Sequence, residues 1–531
     1  MAICFINSFV NPDHERRALA IVREELPGVY SCASSAIVPE IREFERTSTT
    51  VVNAYLGSLL ATYLARLDEI LSGHALQGGM LVTHSGGRLM SAQAASGAPA
   101  RVCQSGPAAG VMGGLAVARR LGRDNVITLD MGGTSADISV VIDGAPLLRP
   151  EWNAEFNIPI TFPSVDVVTI GAGGGTIAWI DSAGTPHSGP QSAGADLGPA
   201  CYRLGGEEPT NTDANVVLNR LRAEAFLGGD REIALSPDAA CAAIERHIAA
   251  RLGCSTTDAA AAVLRLANAS MINAVRLMTV QRGLDPRDFS LIAFGGAGTL
   301  HAADLALEMG IPEIVVPTYP DLVSAMGALQ IDLRQDFVRS VFQTAARYDA
   351  HAVQRATDEL HEEMAAACER EPAAECAVEW HADCRYYGQV SSYLTIPLES
   401  HDPASLLDEL TPRFHAGRER EFSYALSRDV ADVELANLRA ALLGQMPPIA
   451  LPARPTAHAG PRRAVEPTYC FEHQSFAETE FVDRGSLARD ETVEGPAVIE
   501  KWDSTTVVPP GARTSVVGDG EIVIQLATGR G

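Results

Sequence analysis

Apolar residues follow two alternating spacings along the first two thirds of the chain. Residues 126–129 begin a β-branched run that resumes, after a polar interruption, at residues 138–142. Residues 290–294 form another apolar run, and residues 298–309 after it carry apolar positions at helical spacing. Strands that alternate with helices in this way predict an α/β sheet domain that extends to about residue 340.

The pattern predicts further elements towards both ends of the chain. We expect a core strand at residues 2–9, a helix at residues 11–26 and a long helix that begins near Thr47. Late in the chain, helix-like segments flank strands at residues 376–397. A Pro-rich connection then leads into strand-like sequence that continues to the C-terminus.

Composition and charge exclude several functional classes. The chain has 531 residues, of which 46% are hydrophobic, so it can bury large cores. Its formal net charge of −25 repels phosphate backbones, which argues against a nucleic-acid partner. No apolar run reaches the ~18 residues that a membrane span needs, and the apolar N-terminus lacks the basic flank of a signal peptide. We therefore expect no membrane partner and a cytoplasmic location.

Cysteine and lysine usage narrows the chemistry further. The ten cysteines are scattered without a C-x-x-C pair, so we expect reduced thiols. Cys376, His381 and Cys384 come closest to a metal-ligand cluster, but they lie in strand-like sequence and do not favour a zinc site. Lys501 is the only lysine, so a P-loop is absent and a Schiff base has one candidate. Any phosphate must be held by backbone N–H groups, arginine or a metal.

The polar interruption between the two β-branched runs carries unusual chemistry. It reads DMGGTSAD, with carboxylates at Asp130 and Asp137, whereas a strand reversal needs only one Asn-Gly or Asp-Gly pair. Glycine lets backbone N–H groups approach an anion, and each charged hydrogen bond contributes ~1.5–3 kcal/mol. The two aspartates would repel phosphate unless a cation lies between them, and Mg²⁺ favours such ligands. The simpler interpretation is an architectural glycine turn.

Two further glycine turns follow strands. Residues 295–298 read GGAG and open a helix, and a helix N-terminus favours a phosphate. Residues 171–175 read GAGGG and nearly match a dinucleotide-binding loop, but a strand rather than a helix follows them. The sequence leaves this second loop equally open to an architectural and a ligand-binding role.

The order of these turns resembles a known ATPase fold. Strand–DMGGTSAD–strand, followed later by strand–FGGAGTLH–helix, is similar to the fold of actin, Hsp70 and the sugar kinases. Longer motifs resemble the hydantoinase A/5-oxoprolinase family over almost the whole chain. They include PEIREFERTSTTVVNAYL, SGPAAGV, TIGAGGGTIAWID, SAGADLGPACY, GGEEPTNTDANVVLNRL, RGLDPRDFSLIAFGGAGTLHA, RYYGQ and GPAVIEKWDSTTVVPPG.

The resemblance implies an α/β ATPase fold that lacks most of its first lobe. Residues 1–45 would be the remnant of that lobe, residues 46–340 the ATPase-like domain, and residues 341–531 a C-terminal domain that is mixed first and then rich in β-structure. Family members carry a D-x-G-G-T hairpin near the N-terminus, whereas this chain has only the one at Asp130. We therefore expect a chain shortened at its N-terminus and inactive alone, and whether Met1 is the true start stays open.

The resemblance also assigns roles to residues. Catalysis and metal ligation fall on Asp130 and Asp137, with general base and metal ligand both open. Asp213 and His301 are further cleft candidates that could equally be capping or core-polar residues. The implied nucleotide-binding residues are Gly132, Gly133, Thr134, Ser135, Gly173, Gly174, Gly295, Gly296 and Gly298.

The implied activity depends on ATP and Mg²⁺. A family member of this kind opens a cyclic amide of the 5-oxoproline, hydantoin or lactam type by phosphorylating the amide oxygen. Its implied partner in a hetero-oligomer is a subunit of the hydantoinase B type. Two alternatives remain: a subunit of an ATP-dependent ketone carboxylase of the acetone type, and a non-catalytic scaffold paralogue. The particular cyclic amide or ketone is not specified by the sequence.

Overall fold

A computed structural model describes residues 1–527 apart from 75–77, 224–233, 370–375, 390–392, 400–401, 423, 427–429, 448 and 450–462. The helices are α1 (Asp13–Glu25), α2 (Ser34–Ile37), α3 (Glu43–Gly73), α4 (Ala92–Gly97), α5 (Ser105–Arg120), α6 (Asn211–Val217), α7 (Pro237–Ile244), α8 (Ala250–Leu252), α9 (Thr256–Met278), α10 (Gly298–Met309), α11 (Val323–Ala328), α12 (Ala350–Cys368) and α13 (Leu406–Phe422).

The strands up to the middle of the chain are β1 (Ala2–Ile3), β2 (Cys32–Ala33), β3 (Leu81–His84), β4 (Arg88–Ser91), β5 (Val126–Met131), β6 (Ala136–Ile142), β7 (Ala145–Pro146), β8 (Leu148–Ala154), β9 (Ile158–Val165), β10 (Val167–Ile170), β11 (Thr176–Ile180), β12 (Pro186–Ser192) and β13 (Ser290–Phe294). Those that follow are β14 (Glu313–Val316), β15 (Leu333–Thr344), β16 (Cys376–Tyr386), β17 (Leu394–Leu398), β18 (Val433–Gly444), β19 (Arg463–Cys470), β20 (Ser475–Asp483), β21 (Thr492–Glu494), β22 (Ala497–Lys501), β23 (Ser504–Val508), β24 (Arg513–Val517) and β25 (Glu521–Gln525).

The chain folds into two compact units, neither of which is continuous in sequence. The first unit comprises Met1–Gly106, Leu148–Ser164 and Ile331–Pro448, and the second comprises Pro107–Leu147, Val165–Gln330 and Ile449–Gly531. No helix among the described residues combines the length and apolar character that crossing a membrane requires.

The second unit is built on a sheet with strand order β10-β6-β5-β13-β14-β25-β24-β21, to which β7 adds beside β6. β5, β6 and β10 are successively antiparallel, whereas β13 and β14 continue from β5 in parallel. Helices α9 and α10 pack on the face that carries Ile127 and Leu129. Helix α5 lies against Thr128 on the opposite face. Helices therefore cover both faces of the sheet, and the predicted α/β class is confirmed.

The first unit contains a sheet of order β17-β16-β18-β15-β4-β3. Helices α12 and α13 bury their apolar faces on it, with Leu360 and Phe414 fully enclosed. A partly buried chain of ion pairs also crosses this unit. Arg439 Nε lies 2.6 Å from Asp383 Oδ2, and Arg439 Nη2 lies 3.0 Å from Glu40 Oε2.

The strand-like C-terminal sequence is distributed over two sheets of the second unit. β19, β20, β22 and β23 form a four-stranded sheet, whereas β21, β24 and β25 extend the large sheet beyond β14. Strand spacing predicts that these segments are β-structure, and this is confirmed. The choice of partner strand depends on pairing over about 200 residues of sequence, which a local pattern does not encode.

Two expectations about local structure and chemistry were wrong. The predicted core strand at residues 2–9 is only Ala2–Ile3, because the apolar side chains that come directly after it face solvent, with Ile6 82% exposed. Not all cysteines are thiols, since Cys368 and Cys376 form a disulfide and eight other cysteines are free. The end of α12 and the start of β16 bring this pair together.

Helices α5 and α11 cross at glycines, and this crossing supports the end of β5. A Cβ atom at Gly327 would lie 2.2 Å from Ala109 O and 2.6 Å from Gly113 N. Both atoms belong to backbone, so neither can move aside cheaply. Gly106, in the first turn of α5, has no atom within 4 Å of its Cβ position.

Gly327→Ala is expected to lower the free energy of unfolding by ~1–3 kcal/mol, because an added methyl group overpacks the crossing. Gly106→Ala is the matched control and should be neutral or stabilising by up to ~1 kcal/mol, since alanine favours an exposed helix. Urea denaturation followed by circular dichroism measures both. Equal stabilities of the two variants would contradict the close crossing.

Candidate functional site

Asp130 and Asp137 face each other across the β5–β6 hairpin, where they form a directly opposed residue pair. Ser324 Oγ donates a hydrogen bond to Asp130 Oδ2 over 3.2 Å, and Thr169 Oγ1 donates one to Asp137 Oδ1. Burial, together with the negative charge of Asp137, raises the pKa of Asp130 to about 6. Burial also raises the pKa of Asp137. The pair therefore concentrates negative charge, which a bound cation would offset.

The turn between the two strands is open to solvent. Gly132 N–H donates to Ser135 O over 3.1 Å and closes the turn, while Gly133 and Thr134 at its tip are exposed. The N–H groups of these two tip residues make no hydrogen bond within the described part of the chain. They are therefore free to donate to an anion.

The Gly295–Gly298 turn lies directly beside Asp130. Gly295 has φ +78°, and a Cβ atom there would sit 2.5 Å from both Asp130 Oδ1 and Met131 O. Ala297 N–H donates to Met131 O over 3.0 Å, and α10 begins at the next residue. Only glycine fits at position 295, and it brings the helix N-terminus to the carboxylate pair.

The third glycine loop has a supporting role that differs from the predicted one. Gly174 N–H donates to Gly132 O over 3.0 Å, and Gly175 N–H donates to Gly133 O over 2.7 Å. Gly173 N–H donates to Thr176 Oγ1 over 2.6 Å. These donors are already used inside the protein. Gly174 and Gly175 hold the hairpin turn in place, and Gly173 closes its own loop, so none of the three offers its N–H group to a phosphate.

Asp213 and His301 are structural residues. Asp213 is fully buried and caps α6, where its Oδ2 accepts from Thr210 N–H over 2.8 Å. His301 is also fully buried, and its Nδ1 pairs with Asn268 Oδ1 over 2.7 Å. Burial and the nearby charge of Arg220 lower the pKa of His301 to about 3, which keeps the ring neutral. Asp213 is therefore a capping residue and His301 a core-polar residue, which is the alternative that the sequence left open.

Sequence reasoning missed Ser324 and Thr169, the hydroxyl donors to the two carboxylates. Ser324 lies on the short helix α11, and its position depends on the glycine crossing with α5. Thr169 lies on β10, directly opposite Asp137 in the ladder. The alternating strand pattern assigns Thr169 to one face of its strand. Nothing in the sequence indicates that Ser324 contacts Asp130.

The carboxylate pair fits a magnesium ion of the kind that retains several waters. Mg²⁺ in phosphate sites is typically held by one or two carboxylates together with phosphate oxygens and water. Asp130 Oδ1 and Asp137 Oδ2 are the oxygens left after Ser324 and Thr169 are satisfied. The described residues contain no group of three or more His, Cys, Asp or Glu that could hold a metal by protein ligands alone, which also disfavours zinc at Cys376 and Cys384.

Comparison with known proteins identifies the lineage. The hydantoinase/oxoprolinase family matches residues 46–337, and the hydantoinase/oxoprolinase C-terminal domain matches residues 342–525. The chain belongs to the hydantoinase/oxoprolinase family. This match confirms the resemblance of the quoted motifs, and members of this family are ATP-dependent enzymes.

Two relatives and one solved structure match nearly all of the chain. Caprolactamase subunit alpha of Pseudomonas jessenii is 36% identical over 97% of the chain and 75% of its own length. Acetophenone carboxylase gamma subunit of Aromatoleum aromaticum is 32% identical over 99% and 74%. The crystal structure of ATP-dependent caprolactamase from Pseudomonas jessenii superposes with a TM-score of 0.81 and 33% identity, over 99% of this chain and 77% of that one.

Asp130→Asn is expected to stabilise the fold at pH 8 by on the order of 1–3 kcal/mol and to have little effect at pH 4. The folded protein holds the pKa near 6, above the ordinary 3.8, so it disfavours the ionised carboxylate. That cost is small near pH 4, close to the ordinary pKa of 3.8, grows as the pH rises and is complete above the folded pKa of about 6. Urea unfolding at both pH values measures the difference.

Asp143→Asn is the control, because Asp143 is an exposed carboxylate at the next turn of the same sheet. The Asp143→Asn change in the free energy of unfolding should be small and the same at pH 4 and pH 8. A stability gain for Asp130→Asn that does not depend on pH would contradict the raised pKa.

Proposed function

We propose that the chain is the ATP-dependent subunit of an enzyme that opens a small cyclic amide of the 5-oxoproline, hydantoin or lactam type. The observation that carries this proposal is the opposed pair Asp130–Asp137, which lies beside an exposed glycine turn and the start of α10. The similarity to ATP-dependent caprolactamase supports both the nucleotide and the class of substrate.

The strand order of the second unit supports an ATPase fold of the actin, Hsp70 and sugar-kinase type. An antiparallel hairpin, β5–β6, is followed by two parallel strands, β13 and β14. Because β5 and β13 are parallel and adjacent, their carboxyl ends meet at one edge of the sheet. The turns after these two strands are the ones that the resemblance assigns to phosphate and adenosine.

The residues of this edge take distinct roles in the proposal. Gly133 and Thr134 donate backbone N–H groups to phosphate oxygens, and Ser135 closes the turn by accepting from Gly132. Gly296 keeps the approach to the helix N-terminus free of a side chain, whereas Gly298, whose Cβ position lies 3.4 Å from Leu129 O, lets α10 pack against β5. The N-cap of α10 has no side-chain hydrogen bond, so N–H groups at the start of the helix can face a phosphate. Two surfaces of backbone donors therefore face the nucleotide, and no lysine is needed.

Asp130 and Asp137 would hold Mg²⁺ through the oxygens that Ser324 and Thr169 leave free. When bound, the ion neutralises charge on the transferring phosphoryl group. Asp130 is ionised above its pKa of about 6 and can then act as a ligand. We propose this ligand role over the general-base role, because both carboxylates lie at the turn where the phosphates would bind.

The chemistry explains why ATP is required. An amide resists hydrolysis because its nitrogen lone pair stabilises the carbonyl group and the amine leaves poorly. Transfer of the γ-phosphoryl group from ATP to the amide oxygen releases ADP and activates the carbon. Water then attacks that carbon, the C–N bond of the ring breaks and the nitrogen takes up a proton. A second water hydrolyses the acyl phosphate that remains, which gives the carboxylate and free phosphate.

The ring-opening half of the reaction is assigned to a second subunit of the hydantoinase B type. The described residues offer no water-activating metal group of their own. Two relatives are themselves named as subunits, alpha of caprolactamase and gamma of acetophenone carboxylase, which supports a hetero-oligomer.

A carboxylase subunit is the alternative function that a specific observation favours. The acetophenone carboxylase gamma subunit is 32% identical to the chain over nearly its full length. In that case the same carboxylate pair would serve phosphorylation of an enolate or of bicarbonate. Only the acceptor of the phosphoryl group distinguishes the two functions.

Asp130→Ala and Asp137→Ala are each expected to lower turnover about 10²-fold or more, since a metal clamp contributes several kcal/mol. The assay measures ADP release by the chain reconstituted with its B-type subunit, using 5-oxoproline, hydantoins, lactams, and ketones with bicarbonate. Asp143→Asn should keep full activity. Turnover that persists in both alanine variants would refute the site, and turnover with ketones alone would favour the carboxylase.

Gly296→Ala is expected to weaken nucleotide binding about tenfold while leaving stability unchanged. A Cβ at Gly296 has only Asp503 O at 4.0 Å and its φ is not positive, so the methyl group obstructs the ligand and not the fold. Gly295→Ala should lose both stability and binding, because it clashes with Asp130 and requires positive φ. Calorimetric titration with Mg-ATP separates the two, and unchanged affinity in Gly296→Ala would remove this turn from the site.

A further inference from the structure

The hairpin between β22 and β23 brings its backbone close to the Gly295–Gly296 turn. Lys501 pairs with Ser504, so Trp502 and Asp503 form the two-residue tip. Asp503 O lies 4.0 Å from the Cβ position of Gly296. Thr299 Oγ1, in the first turn of α10, donates to Thr505 O over 2.7 Å in a buried setting. The tip is therefore fastened to the helix that the glycine turn begins.

Polar contacts hold the backbone of this tip. Lys501 Nζ contacts Asp503 Oδ2 at 2.5 Å, and Ser504 Oγ donates to Asp503 Oδ1 over 2.9 Å. The ammonium group also reaches Thr318 O, at 3.4 Å, on the loop that follows β14. The only lysine of the chain is thus engaged in fixing the tip.

Trp502 itself takes no part in these contacts and is 55% exposed, whereas Asp503 beside it is 8% exposed. Two-residue hairpin tips usually carry glycine, asparagine or aspartate, so a tryptophan here is not required by the turn. Lys501 Nζ lies 5.7 Å from the centre of the Trp502 ring and 4.8 Å from that of Tyr319. The tip whose backbone approaches the glycine turn therefore also carries an exposed aromatic side chain.

The charges near the hairpin tip indicate whether the base or the phosphates of a nucleotide would lie beside Trp502. Asp321 and Asp503 form a hydrogen-bonded carboxyl pair close to the turn, and burial followed by contact with Asp503 raises the pKa of Asp321 to about 6. Lys501 already neutralises part of this pair, so the pair offers no spare positive charge to a phosphate but tolerates an uncharged ring. Phosphates fit the opposite end, at Gly133 and Thr134, where free N–H groups are exposed.

We propose that Trp502 is the stacking surface for the base of the bound nucleotide. This inference rests on the proposed ATP-dependent function and extends it to a residue that neither the glycine motifs nor the carboxylate pair includes. Every base has a π-face, so stacking contributes affinity without reading hydrogen-bond edges. Stacking on Trp502 therefore contributes similarly to the binding of ATP and of GTP.

The test compares two ligands that share phosphates and differ in the base. Mg-ATP and Mg-tripolyphosphate are titrated calorimetrically into the full chain and into Trp502→Ala. Loss of a stacked base is expected to weaken ATP about 5- to 100-fold and to leave tripolyphosphate unchanged. Trp502→Phe keeps an aromatic face and should stay within about threefold of the natural chain. Trp179→Ala is the control, because Trp179 is partly exposed and stacks on His187 elsewhere in the unit.

Tryptophan fluorescence gives a second readout that does not depend on the alanine variant folding. ATP should quench the emission of the natural chain and of Trp179→Phe but not that of Trp502→Phe. Unchanged ATP affinity in Trp502→Ala, or equal loss of ATP and tripolyphosphate, overturns the stacking role while the proposed function survives. If the natural chain binds neither ligand, the proposed function fails and the inference fails with it.

Discussion

The close approach of Asp130 to the backbone of Gly295 is the constraint on which the site depends. β5 lies between β6 and β13, so the residue at its end meets the hairpin partner on one side and the turn of the parallel neighbour on the other. The carboxylate oxygen occupies the place where any side chain at residue 295 would be. This single packing relation brings the carboxylate pair, the exposed turn and the start of α10 together.

Other features of the second unit serve to maintain that relation. Gly110 of α5 has Asp130 Oδ2 and Ser324 Oγ within 3.3 Å of its Cβ position, so the helix backs directly onto the carboxylate. The glycine crossing at Gly113 and Gly327 sets the position of Ser324, which donates to Asp130. On the far side, Gly174 and Gly175 tie the hairpin turn to a second loop. The site is therefore preorganised by backbone, and backbone is less easily displaced than side chains.

Local sequence patterns were sufficient to predict the secondary-structure elements around the site, but not the roles of all the residues in them. The β5–β6 hairpin and the start of α10 follow from glycine and apolar spacing, and both are confirmed. The purpose of residues 171–175 could not be predicted, because it depends on which carbonyl groups the hairpin turn presents to them. Ser324 was missed for the same reason, since a helix crossing has no local signature.

Two carboxyl pairs adjoin the Gly295–Gly296 turn, and they differ in whether the protein itself supplies a cation to offset their negative charge. Asp130–Asp137 lies beside exposed backbone N–H groups, so its negative charge is compensated when a cation and phosphates bind together. Asp321–Asp503 lies beside aromatic rings and already has Lys501 as its cation, so it needs no ligand charge. A ligand with an anionic end and a flat uncharged end satisfies both environments at once, whereas a free phosphate satisfies only the first. The distribution of charge thus favours a nucleotide over a simple anion for reasons independent of the glycine motifs.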